Sequence, residues 1–159
     1  MPPGVHASSC AADRMLILVA VAFLIGVMLP VQAGVNAQLR TQLGNPLLAA
    51  LASFAVGTVA LALVALVTRA RFSGTPFTAI PWYQWTGGLL GAFYIAAAVV
   101  LAPRLGAAAL IATVVAGQMI ASLVLDTRGW VGFSQQPLST SRLVGGILVI
   151  AGVLLINRR

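Results

Sequence analysis

Five polar side chains sit inside or at the edge of long apolar runs: Gln32, Asn36, Tyr94, Gln118 and Asp126. An amide or hydroxyl at such a position needs a partner, because an unmet polar group in hydrocarbon costs several kcal/mol. Gln32 and Asn36 share a helix face at i,i+4. Pro30 frees a carbonyl one turn back and Gly34 permits local irregularity, the ingredients of a broken helix with exposed backbone dipoles. Together with Tyr94 and Gln118 these residues can line a polar, uncharged cavity. Their alternative is interhelical glue, worth about 0.6 kcal/mol per bond on average. Asp126 ends its run with Arg128 two residues on, so it is either an intramembrane acid or an interfacial cap. No carboxylate falls at the centre of a run, and proton exchange built on a central acid therefore lacks its key residue. Enzyme signatures are missing as well: there is no H-E-x-x-H, no G-x-S-x-G, no lysine for a Ser–Lys pair, and a single histidine, His6. The reading is of a non-enzyme with no metal site and no cofactor.

The elements that must position these residues follow from composition. Of 159 residues, 60% are hydrophobic and only 7% charged, with a mean hydropathy of +1.04. A soluble domain carries about a quarter charged residues and could not hide so much apolar surface. The chain reads as an all-α integral membrane protein whose solvent partner is the lipid bilayer. Its net charge of +7 comes from nine arginines, set one or two at a time between apolar runs. Cations dispersed in this way cap hydrophobic segments at the headgroups rather than forming a nucleic-acid surface. The lone Cys10 forms no internal disulfide.

A spanning helix needs about 20 apolar residues, and the hydropathy pattern predicts five, near 15–36, 46–68, 84–102, 105–126 and 139–157. Residues 1–14 are expected to be a disordered tail, and 15–159 a single five-helix transmembrane domain. Arg14, the following apolar run and Val31-Gln32-Ala33 resemble a signal peptide, but the run reaches spanning length and continues into the polar pattern, so it is read as retained. Met15 is an alternative start. Trp82, Tyr83, Trp85 and Trp130 fall in the two longer connections, at headgroup depth. Gly57, Gly87, Gly88, Gly91, Gly145, Gly146 and Gly152 have the spacing of close helix packing. A weak repeat at an offset of 62 residues relates Leu39-Arg-Thr-Gln-Leu43-Gly44 to Leu101-Ala-Pro-Arg-Leu105-Gly106.

In combination, Pro30-x-Gln32-Ala-x-x-Asn36-Ala-x-Leu39, Ser53-Phe54-x-x-Gly57-Thr58, Gly87-Gly88-x-x-Gly91-Ala-Phe-Tyr94, Ala116-Gly117-Gln118 and Asp126-x-x-Gly129-Trp130 resemble the YdcZ-type inner-membrane proteins of the drug/metabolite transporter superfamily. The resemblance covers about residues 15–157. It implies a drug/metabolite-transporter-like bundle of five helices, a place in the bacterial inner membrane and a transporter or exporter activity, without naming a substrate. On that footing Gln32, Asn36, Tyr94, Gln118 and Asp126 become candidates for a substrate pathway of a secondary carrier. The rival is a non-transporting membrane subunit whose glycine faces bind partner helices. Five helices are few to enclose a pathway, so a homodimer, antiparallel if the protomers insert both ways, or a pairing with a homologous partner is expected. Arg14, Arg69, Arg71, Arg128 and Arg142 fall on one side and Arg40, Arg104, Arg158 and Arg159 on the other, which gives almost no orienting preference.

Overall fold

The computed structural model describes the backbone of residues 5–72 and 74–158, with side chains described from residue 13 onward. It contains five helices: α1 (Val5–Leu43), α2 (Pro46–Val67), α3 (Thr86–Leu105), α4 (Ala107–Arg128) and α5 (Thr140–Ile156). Two 3₁₀ turns, Phe77–Ala79 and Trp82–Trp85, lie between α2 and α3. Four segments are long and apolar enough to cross a membrane, while α5, at 17 residues, is a shorter apolar helix. Its length of about 26 Å falls a little short of a hydrocarbon core of about 30 Å. The five-helix, all-α architecture is the one the hydropathy pattern predicts.

The helix ends are set by local chemistry. Asn45 caps α2, its side-chain oxygen accepting from the amides of Leu47 (2.8 Å) and Leu48 (3.4 Å), with Pro46 in the first turn. Ser139 caps α5 by accepting from the Arg142 amide at 3.3 Å. Gly129, at φ 64°, closes α4 in the left-handed conformation, and the Trp130 amide bonds back to the Leu125 carbonyl.

Three boundaries differ from the sequence reading. Helix α1 begins at Val5, so much of the stretch expected as a disordered tail continues the first helix; no proline interrupts it before Pro30. Residues 1–4, and the side chains of His6 and Cys10, lie outside the described residues. Helix α1 also ends at Leu43 rather than near residue 36, running unbroken through Pro30 and Gly34. Helix α3 continues through Pro103 to Leu105 instead of stopping at Ala102. Its proline removes one intrahelical bond, to the Val99 carbonyl, and that carbonyl finds another donor, Arg40.

Helices α1 and α2 form one hairpin around Gly44, and α3 and α4 form a second around Gly106; both glycines have positive φ, 68° and 79°. These are the two segments related by the 62-residue repeat. Helix α1 packs on α2, α3 and α4, α3 also packs on α2 and α4, and α5 packs on α4. Packing is concentrated toward the hairpin end. Ala33, Ala98 and Leu110 form the core there, with Ala49, Ala50 and Val99 also buried. At the opposite end, which carries the long connections, α1 and α2 stand apart, whereas α4 and α5 stay joined through Asp126 and Arg142. Every residue from 13 to 28 is exposed on all faces of α1, as is every residue from 58 to 67 of α2. The bundle is packed at its hairpin end, and at its loop end α1 and α2 are left uncovered.

Candidate functional site

Gln32, Asn36 and Tyr94 meet. They line one narrow crevice between α1 and α3, together with Ala33, Ile95 and Ala98. The offset between Gln32 and Tyr94, and between Asn36 and Ala98, is the same 62 residues as the sequence repeat, so equivalent positions of the two hairpins face each other. Asn36 is 5% exposed, the one buried polar side chain among the described residues. It forms no side-chain hydrogen bond among them although it lines the crevice. No fully buried side-chain nitrogen or oxygen lacks a partner among the described residues, so the Asn36 amide reaches the crevice rather than being sealed from it. The crevice itself has about 10 Å³, at most enough for one water.

Gln32 also borders a second space, between α1 and α2, of about 200 Å³. Ser53 and Thr58 contribute hydroxyls to it, and Phe54, Leu61 and Ile95 an apolar wall. Gln32 and Ile95 are shared by both spaces, which makes them neighbouring parts of one polar region at the junction of α1, α2 and α3. Toward the loop end lies a wider vestibule of about 790 Å³, bounded by Tyr83, Gly87, Leu90 and Trp130. Leu90 and Tyr94 are one turn apart on α3, so the vestibule and the crevice share a face of that helix.

Gln118 and Asp126 lie elsewhere. Gln118 is at the middle of α4 but exposed, outside the crevice. Asp126 forms an ion pair with Arg142, the only one among the described residues, tying the end of α4 to the start of α5. Arg128, the partner its spacing suggested, instead stacks on Trp130 with its guanidinium 5.6 Å from the ring centroid. The Asp126 carbonyl accepts from the Gln136 amide at 2.8 Å, and the Gln135 side chain donates to the Thr127 carbonyl at 3.0 Å, so the connection folds back onto α4.

The glycines divide too. A methyl on Gly146 would meet Leu123 Cδ1 at 3.2 Å, and one on Gly91 would meet the Phe54 ring at 3.7 Å. At Gly57, Gly87, Gly88, Gly145 and Gly152 it would meet nothing within 4 Å in the protomer.

Sequence reasoning missed the role of Arg40, which it placed at the headgroups. Its guanidinium turns into the bundle and donates to the Val99 carbonyl at 3.3 Å. The signal was present in two spacings, Gln32–Asn36–Arg40 at successive turns and Val99–Pro103 at i,i+4. Ser53 and Thr58 were seen only as parts of a motif.

Comparison with known proteins agrees with this architecture. Residues 17–155 match the family described as "Putative inner membrane exporter, YdcZ". Inner membrane protein YdcZ of Escherichia coli (strain K12) is 34% identical over 86 residues, 54% of this chain and 57% of that relative. The matched stretch thus spans less than two thirds of the relative's length. No solved structure matches. With its apolar helices and a match over nearly its whole length, this multi-pass inner-membrane chain belongs to the YdcZ family.

Proposed function

We propose that the chain is a secondary carrier that exports a small molecule across the inner membrane and works as a dimer. The observation that carries this reading is Asn36, a largely buried residue whose amide opens onto the crevice between α1 and α3 beside Gln32 and Tyr94. An amide that opens onto the crevice offers two donors and an acceptor to a passing solute. The asymmetry of the bundle supports the same reading. A carrier alternates between states closed at one end and open at the other, and in this protomer α1 and α2 are packed at the hairpin end and uncovered at the loop end.

The dimer accounts for what one protomer leaves uncovered. Gln118 presents an amide outward at the centre of α4, where lipid offers it no partner. Gly145 and Gly152, seven residues apart on α5, leave room for a second helix to approach. An antiparallel pairing would supply ten helices and the inverted symmetry that carriers commonly use.

One observation favours the rival, a membrane subunit that transports nothing: a crevice of about 10 Å³ admits no solute in this state. Export profiling of a deletion strain against a metabolite and drug panel, complemented with Asn36→Leu, separates the two. A carrier loses export of one solute class while the folded protein is retained. Loss of the folded protein, with no solute class affected, assigns Asn36 to packing and supports the subunit.

A further inference from the structure

The vestibule at the loop end is walled from two distant parts of the chain. Tyr83, Gln84 and Thr86 lead into α3, which adds Gly87 and Leu90, and residues 130–132 follow α4. Both walls present an aromatic ring, and each ring is braced by a chain neighbour. Tyr83 stands edge-on to Trp82, with centroids 6.4 Å apart, and the Arg128 guanidinium lies 5.6 Å from the Trp130 centroid. Among the described residues Tyr83 and Trp130 make no ring contact with each other, although they border the same space. Gly87 keeps that space open: a methyl there would meet nothing within 4 Å.

The wall after α4 is held under strain. Val131 has φ 58°, a left-handed conformation that β-branched residues rarely adopt. Hydrogen bonds pin the backbone on either side, from the Trp130 amide to the Leu125 carbonyl (3.1 Å) and from the Phe133 amide to the Trp130 carbonyl (3.2 Å). Strain that the surrounding structure enforces clusters at binding sites, and here it falls in the cavity wall.

The chemistry of the lining selects the ligand. Every side chain that borders the vestibule is uncharged. Its hydrogen-bonding groups are the Gln84 amide and the hydroxyls of Tyr83 and Thr86, and the Gln84 side chain has no hydrogen-bond partner among the described residues. A cation finds no counter-charge. Of the two acids in the chain, Asp13 and Asp126, the second is paired with Arg142 and neither borders the vestibule. Arg128, moreover, already lies against the Trp130 ring. The volume of about 790 Å³ suits a small molecule, whose sites span about 300–1,000 Å³ with apolar walls and a few polar groups.

We propose that the vestibule binds an uncharged planar aromatic solute, with its ring against Tyr83 and Trp130 and its polar substituent on the Gln84 amide. This deepens the carrier reading, because Leu90 and Tyr94, one turn apart on α3, connect the vestibule with the crevice. A role in export rests on that reading, whereas binding is measurable by itself.

The test is thermal unfolding of the purified full chain in neutral detergent at neutral pH, titrated with naphthol, its saturated counterpart decalol, and naphthylmethylammonium. Naphthol is expected to raise the unfolding midpoint saturably and the other two to leave it unchanged. Gly87→Leu fills the vestibule and abolishes the naphthol response, while Gly88→Leu, one residue on and outside the vestibule, keeps it. Trp130→Leu raises the half-saturating naphthol concentration about two- to tenfold, the range of an aromatic pair, and Trp130→Phe restores most of the affinity. Should Gly87→Leu fail to fold, the two Trp130 variants carry the test. No response to naphthol, an equal response to decalol or to the ammonium compound, or a naphthol response undiminished in Gly87→Leu or Trp130→Leu overturns the proposal. The export panel separates the two levels. Loss of charged or aliphatic solutes alone from the deletion strain's exports overturns this inference and leaves the carrier. A Gly87-dependent naphthol response with no solute class exported overturns the carrier and leaves the binding site.

Discussion

Asn36 and Asp126 show opposite ways of placing a polar group at membrane depth. Asp126 is matched: its carboxylate meets Arg142 while its own carbonyl holds the Gln136 amide. Asp126→Asn or Arg142→Gln should each lower protein stability by about 1–3 kcal/mol, since each strands a charged partner. The double exchange Asp126→Arg with Arg142→Asp should recover much of the loss in thermal unfolding; no recovery would mean that the pair contributes little beyond its separate charges. Asn36 is unmatched. Replacing it with leucine removes the amide that opens onto the crevice and should abolish export while leaving the unfolding midpoint nearly unchanged. A midpoint lowered by several degrees would reveal a bonded, structural asparagine.

At the scale of helices, contact is local where the sequence supplies small residues in quantity. Gly146 lets α5 lie on α4, with Leu123 and Met119 against it. Gly146→Leu should drive α5 outward and cost about 1–3 kcal/mol, the range for overpacking. Gly145→Leu, one residue earlier with open space around it, should leave protomer stability unchanged and weaken self-association. Equal stability losses at both positions would place the two glycines in the same protomer contact. Gly129 is constrained differently. Its φ of 64° is costly for any other residue, and a Cβ there would stand 3.2 Å from Gln135 Cβ, so Gly129→Ala should loosen the fold-back of the connection to α5. Faster amide hydrogen exchange at Trp130 and Gln136 would register this.

The whole molecule carries its arginines almost evenly, five on one side and four on the other, so charge exerts little control over the direction of insertion. In a Cys10→Ser background, Ser134→Cys in the exposed connection between α4 and α5 should be labelled by a membrane-impermeant reagent from both sides of inverted and right-side-out vesicles. Labelling of nearly all molecules from one side alone would refute dual topology and leave a fixed-orientation chain with a homologous partner.

The apolar runs, their lengths and their caps determined the number of helices and the boundaries of α2 to α5 to within a few residues, because desolvation and backbone satisfaction act along the chain, while α1 overruns its expected 15–36 at both ends. Asn45 before Pro46 and Ser139 before α5 are legible for the same reason. One boundary difference, the end of α3, falls where a proline sits in an otherwise helical run, and it is explained by a distant partner: Arg40, 59 residues from Val99, supplies the bond that Pro103 cannot. Gln32, Asn36 and Tyr94 could be singled out as polar intrusions, but their meeting depends on the parallel packing of α1 and α3. Gln118, equally conspicuous in sequence, faces outward. Which intrusions converge, which cation turns inward and which end of α1 and α2 stays uncovered depend on side-chain contacts between helices, and one-dimensional hydropathy carries no information about those contacts.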